Sequence, residues 1–299
     1  MTLRKRPSVA ELFERLYSEK HAKQLEHFIV TLSALGFVAH LALVFLARHL
    51  RHPPLLIAAV GNSYLSAIYT PFSIILFYEV LVLIAAIPKS MTQSIAGQFE
   101  IVSLIFIRSF FKEIAHFDME DIKQPARELL PAFIDVGAGL LMFLLVTIFN
   151  HIARQRVADV AGELPAELNR FITRKKIIAM LLTVLFLILA AYAMGDFLFS
   201  LNSEMHGGPV RMETRPAFYT DVFTVMIFTD VLILILSLLV SDRYEFVFRN
   251  AAFVIATILI RFSLTAGAPY GALIGVAAMV FGIVTLLIYN YNTRVMHRR

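Results

Sequence analysis

Eight runs of mostly apolar residues, each about twenty long, dominate what this chain can fold into. A helix needs about twenty such residues to cross about 30 Å of hydrocarbon, and soluble core helices rarely sustain them. The runs fall at roughly 25–47, 64–87, 98–115, 130–151, 176–200, 220–241, 246–265 and 271–292. Charged residues make up 16% of the 299 positions and hydrophobic ones 59%, whereas a soluble domain carries about 25% charged residues. The expected fold is therefore all-α: a polytopic transmembrane helical bundle of eight spans. Its first partner is the lipid bilayer, and its expected place is a bacterial inner membrane or a plasma membrane.

The third run is the weakest, because Glu100, Arg108, Lys112 and Glu113 interrupt it. Loop charge argues that it crosses all the same. With the N-terminus inside, eighteen Lys and Arg residues fall in inner segments. Six fall in outer ones: Arg48, Arg51, Lys123, Arg127, Arg211 and Arg215. Basic residues concentrate on the cytoplasmic side of membrane proteins. If the third run did not cross, the basic stretch from Arg154 to Lys176 would face outward. Both termini are thus expected in the cytoplasm. Ahead of the first run, Ser8 and Glu11 have capping-box spacing, and Val9, Leu12, Phe13, Leu16 and Tyr17 recur at helical spacing. Residues 1–24 read as an amphipathic cytoplasmic helix on the inner membrane surface.

The chain also matches itself. Residues 77–84 read FYEVLVLI and 228–235 read FTDVLILI, identical at five of eight positions. The match sets Glu79 against Asp230. IFIR at 105–108 and ILIR at 258–261 set Arg108 against Arg261. IFNHIAR and IYNYNTR set Asn150 against Asn290 and Arg154 against Arg294. Leucine and valine matches are cheap in apolar sequence, but an ordered series of polar matches is not. The division predicted is a first four-helix unit over 25–152, a basic cytoplasmic loop over 153–175 and a second four-helix unit over 176–299. Four spans per unit is an even number, so the two copies run parallel.

Charge at membrane depth is costly and marks function by default. Glu79 and Arg108 sit at comparable depths, roughly 12 and 15 Å from the inner ends of their spans at 1.5 Å per residue. Asp230 and Arg261 repeat the arrangement. The four residues are the candidate transport pathway, with Glu100 as an accessory acid that has no counterpart in the second unit. A pair of this kind serves either as a structural lock or as a site where a carboxylate exchanges a proton or small cation. Asp135, Asp196 and Asp221, near outer helix ends, are candidates for an acidic outer vestibule. Gly137 and Gly139 in the fourth run, and Gly271 with Gly275 in the eighth, are candidate helix-packing positions.

Other chemistry finds no foothold. The chain has no cysteine, so disulfides and thiolate sites are excluded. No phosphate loop, HExxH, GxSxG elbow or dinucleotide glycine fingerprint is present. No metal site, cofactor, catalytic residue or nucleic-acid partner is expected. The leading expectation is translocation of a proton, small cation or proton-coupled solute. Its alternatives are a non-transporting subunit that engages a cytoplasmic protein through 152–175, and a membrane-embedded lipid enzyme. Self-association into a homo-oligomer is compatible with each.

Overall fold

The computed structural model describes residues 8–50, 64–115, 125–154, 166–205, 217–239 and 244–296. The described residues are helical apart from short turns and caps, with no strand among them. The helices are α1 (Val9–Leu16), α2 (Glu19–His49), α3 (Tyr69–Ala86), α4 (Met91–Ala115), α5 (Pro125–Arg154), α6 (Ala166–Met205), α7 (Ala217–Leu238), α8 (Tyr244–Thr265) and α9 (Tyr270–Met296). A short 3-10 turn, Tyr64–Ile68, leads into α3. All but α1 are long and apolar enough to cross a membrane.

Helix boundaries depart from the apolar runs where polar residues are good helix formers at the membrane edge. The third span begins at Met91 rather than near residue 98. Ser90 starts it, accepting from the Gln93 amide at 3.2 Å through its side chain. The polar residues between Ser90 and Gln98 lower the hydropathy without opposing helix formation, and the span's mean hydropathy of 1.4 is the lowest of the eight. The segment read as a loop over 153–175 is partly helix as well, since α6 begins at Ala166; residues 155–165 lie outside the described residues. At the N-terminus the capping box forms, with Ser8 Oγ accepting from the Glu11 amide and Glu11 from the Ser8 amide.

α1 is anchored to α6. Its Phe13 is buried, Glu14 pairs with Lys176 at 2.5 Å and the Tyr17 hydroxyl lies 2.7 Å from Thr183 Oγ1. Val9, Leu12 and Leu16 occupy its other face and are exposed.

Two cores hold the bundle. One joins α4, α5, α8 and α9 around Phe99, Phe149, Phe253, Met142 and Met279. Phe99 meets Phe149 edge to face at 5.2 Å, and Phe149 meets Phe253 at 6.1 Å. The other joins α1, α3, α6 and α7 around Val80, Ile84, Phe186, Phe223 and Met226, with Ile101 of α4 reaching into it. The outward surface is also rich in apolar side chains: Leu35, Phe133, Leu181 and Phe228 are each more than 60% exposed. Continuous exposure of this kind suits lipid and is unsuited to water.

The glycines divide by position. A Cβ on Gly139 would lie 2.7 Å from Ile107 Cγ1 and 3.2 Å from the Ser103 carbonyl, so α4 and α5 cross closely there. A Cβ on Gly271 would lie 2.6 Å from two carbonyls of α8's end, while one on Gly137 would meet nothing within 4 Å. Gly139→Val is expected to lower stability by about 1–3 kcal/mol, the usual cost of overpacking. Gly137→Ala should be neutral. Thermal unfolding of the two purified variants in detergent checks the contrast.

Candidate functional site

Each buried charge lies on the apolar stripe of its helix rather than on a polar face. Asp230 falls in phase with Met226 and Ile233 on α7, and Arg261 with Val254 and Thr257 on α8; all of these are buried. Glu79 is in phase with Leu83 and Ala86, also buried, on α3. Helix packing therefore carries the charges inward, and they must find one another there.

They do so across consecutive helices. Arg108 Nη1 of α4 is ion-paired with Glu79 Oε2 of α3. Arg261 Nη1 of α8 is ion-paired with Asp230 Oδ2 of α7. Arg108 follows the first residue of α4 by seventeen positions, and Arg261 follows the first residue of α8 by the same seventeen. Helical side chains lean toward the N-terminus of their helix, so both guanidinium groups lean toward the N-terminal end of the helix that carries them.

The two pairs have different surroundings. The Arg108 side chain keeps 20% of its surface open, whereas Arg261 keeps 3%. Asp230 Oδ2 also lies 3.2 Å from Thr257 Oγ1, whose hydroxyl proton is shared with the Val254 carbonyl at 2.8 Å. Asp230 and Thr257 face a cavity of about 20 Å³, bounded on the other side by Ile87, Met91, Ser94 and Gln98. That is room for one water-sized particle. Its walls come from α4 and the turn before it on one side and α7 and α8 on the other.

Lys175 is the residue that sequence reasoning missed. It belongs to the basic cluster Arg174-Lys175-Lys176, but it is 2% exposed. Nζ donates to the Lys89 carbonyl at 2.5 Å, in the turn between α3 and α4. The ammonium also lies 5.6 Å from the Phe171 ring centre, and its charge interacts with the Asp230 carboxylate. Phase could have separated it from its neighbours: Phe171, Lys175, Ile178 and Leu182 form one apolar stripe of α6. Ser94 and Gln98, four apart on α4, could likewise have been seen as a polar stripe in an otherwise apolar span.

The remaining candidates are dispersed. Glu100 joins neither pair; it is exposed and accepts from Asn150 Nδ2 at 2.8 Å. Asp135, read as part of an outer vestibule, is half-buried between helices and accepts from Ser109 Oγ at 2.6 Å. Asp196 and Asp221 are exposed near the ends of α6 and α7. Among the described residues no three metal-ligating side chains come together. No family model, curated protein or solved structure matches the chain.

Removing one member of a buried ion pair leaves the other uncompensated, at a cost of roughly 3–5 kcal/mol. Arg261→Met is expected to destabilise by that order. Arg108→Met should cost less, because its site is more open. Chemical unfolding in detergent ranks the two, and an equal or reversed order would contradict the assignment.

Proposed function

We propose that this protein translocates a proton or small cation across the membrane, using the carboxylates of Glu79 and Asp230 as carriers and Arg108 and Arg261 as their counter-charges. The observation that carries the reading is the position of Asp230. It is paired, yet it borders a small cavity, mostly apolar with Ser94, Gln98 and Thr257 among its walls, where α4 of the first half meets α7 and α8 of the second. A structural lock has no need of a cavity at the carboxylate.

In this reading the chain consists of two parallel four-helix units, with both termini cytoplasmic. The equal phase of Arg108 and Arg261 supports the duplication, as does the joining of α4 and α5 with α8 and α9 in one core. Substrate sites in duplicated transporters lie near mid-membrane where the repeats meet. The carboxylate alternates between its arginine and the transported ion. Binding the ion weakens the hold of the arginine, and the freed guanidinium then favours release by repelling the positive charge. The two pairs are not equivalent. The Asp230 pair carries the cavity, and the more open Glu79 pair serves as an earlier or later station on the same route. Glu100, exposed and bonded to Asn150, stands outside the route.

The purified protein is reconstituted in vesicles containing a pH-sensitive dye, and ion movement is followed after an imposed pH or alkali-cation gradient. The wild type should dissipate the gradient. Glu79→Gln with Asp230→Asn should reduce the rate at least tenfold without changing the helical content. Unchanged flux in the folded double variant would falsify the proposal.

A further inference from the structure

The α4 residues that line the cavity beside Asp230, Met91, Ser94 and Gln98, span roughly 10 Å at 1.5 Å per residue. The near end of the cavity lies at the turn between α3 and α4, whose flanking residues Ile87 and Met91 both belong to its wall. α3's last turn closes there, with the Ile87 and Lys89 amides donating to the Ile84 and Ala86 carbonyls. Besides the packing of Ile87 in the core shared with α6 and α7, this turn is tied to the bundle by Lys175 of α6, through its bond to the Lys89 carbonyl.

A buried ammonium needs more than one neutral carbonyl to offset the loss of hydration. Lys175 has a carbonyl at a helix C-terminus, where the macrodipole is negative, and an aromatic face. A full anionic partner, Asp230, is within electrostatic reach but already committed to Arg261. From α8 the charged group against Asp230 is Arg261, from α6 Lys175 is the cation within its electrostatic influence, and the cavity wall on α4 contributes only the neutral Ser94 and Gln98 as polar side chains.

We propose that Lys175 is the gate residue of this cavity, pinning the α3–α4 turn closed while Asp230 is held by Arg261, and releasing the turn by exchanging the Lys89 carbonyl for the Asp230 carboxylate. The inference rests on the transport reading of the same site. It adds the route of access: the cavity opens at the end of the bundle carrying the α3–α4 turn, and it opens when Asp230 becomes free to attract the ammonium. Lys175 is a positioning residue here, since it acts through the turn and does not hold the ion.

The absence of cysteine from the chain makes a direct test possible. Ser94→Cys places a single thiol on the cavity wall with little change of volume. Its rate of modification by a membrane-impermeant maleimide is measured from each side of vesicles holding the full chain. With Lys175 intact, modification should be slow and should come from the side of the α3–α4 turn. Adding Lys175→Met should raise that rate at least tenfold, and Lys175→Arg should leave it near the starting value. Adding Asp230→Asn to Ser94→Cys, with Lys175 intact, should slow modification, because the ammonium then has no carboxylate to move to. A thiol at Ala278, fully buried in the other core, should stay unmodified in every background. An unchanged rate with Lys175→Met overturns the gate. So does an equal rise at Ala278→Cys, which would mean general loosening. If Lys175→Met does not fold, the Asp230→Asn arm decides alone: an unchanged or faster rate there overturns the gate. Modification reads access rather than flux, so missing flux in the wild type would remove the transport reading while leaving this result standing.

Discussion

An ionised carboxylate in hydrocarbon is intolerable by itself, and much of this structure follows from how two of them are neutralised. The cost of burying one ion is several kcal/mol even after relaxation. Glu79 and Asp230 lie on the apolar stripes of α3 and α7, so packing those helices drags each acid inward. Arg108 and Arg261 answer them from the next helix in the chain. Each pair fixes the rotation and the vertical register of two adjacent helices, because a slip of one residue turns a helical side chain by about 100°. The aromatic core of α4, α5, α8 and α9 can then be completed around a framework whose registers are already set.

The second pair is where this economy is incomplete. Asp230 has Arg261 and Thr257 on one side and a small cavity on the other, while Lys175 is held by the Lys89 carbonyl. Arg261 is in contact with the carboxylate, and Lys175 is a second cation within its electrostatic influence. A site built solely for stability would be dry and balanced. In the proposed mechanism the second cation and the space beside the acid let Asp230 pass from one positive group to another without being bare.

Much of this was legible in the sequence, for reasons that can be located. The eight candidate spans follow from length and hydropathy, the third being the least apolar of them. Glu79, Arg108, Asp230 and Arg261 stood out because charge is rare inside a span. What escaped was governed by helical phase rather than by rarity. Lys175 sits between two other basic residues, and only its alignment with Phe171 and Leu182 separates a buried ammonium from solvated ones. Ser94 and Gln98 are neutral and common, so their role as cavity wall depends on which helix faces them. Asp135 has the composition of a vestibule residue, but Ser109 of α4 satisfies it within the bundle. The start of α4 was misplaced because hydropathy measures fitness for lipid, whereas Ser90 and the polar turn after it are fit for a helix beginning.

The central claim is that the carboxylate of Asp230 works because of where it stands, beside the cavity, and not merely because it neutralises Arg261. Exchanging the two charges separates these roles. Asp230→Arg combined with Arg261→Asp keeps a neutral buried pair and moves the carboxylate from α7 to α8. Flux through reconstituted vesicles, measured beside thermal unfolding of the same sample, is the decisive reading. The account predicts a folded protein with near-normal unfolding and flux reduced at least tenfold; a folded, charge-exchanged protein that carries ions at the normal rate would contradict it.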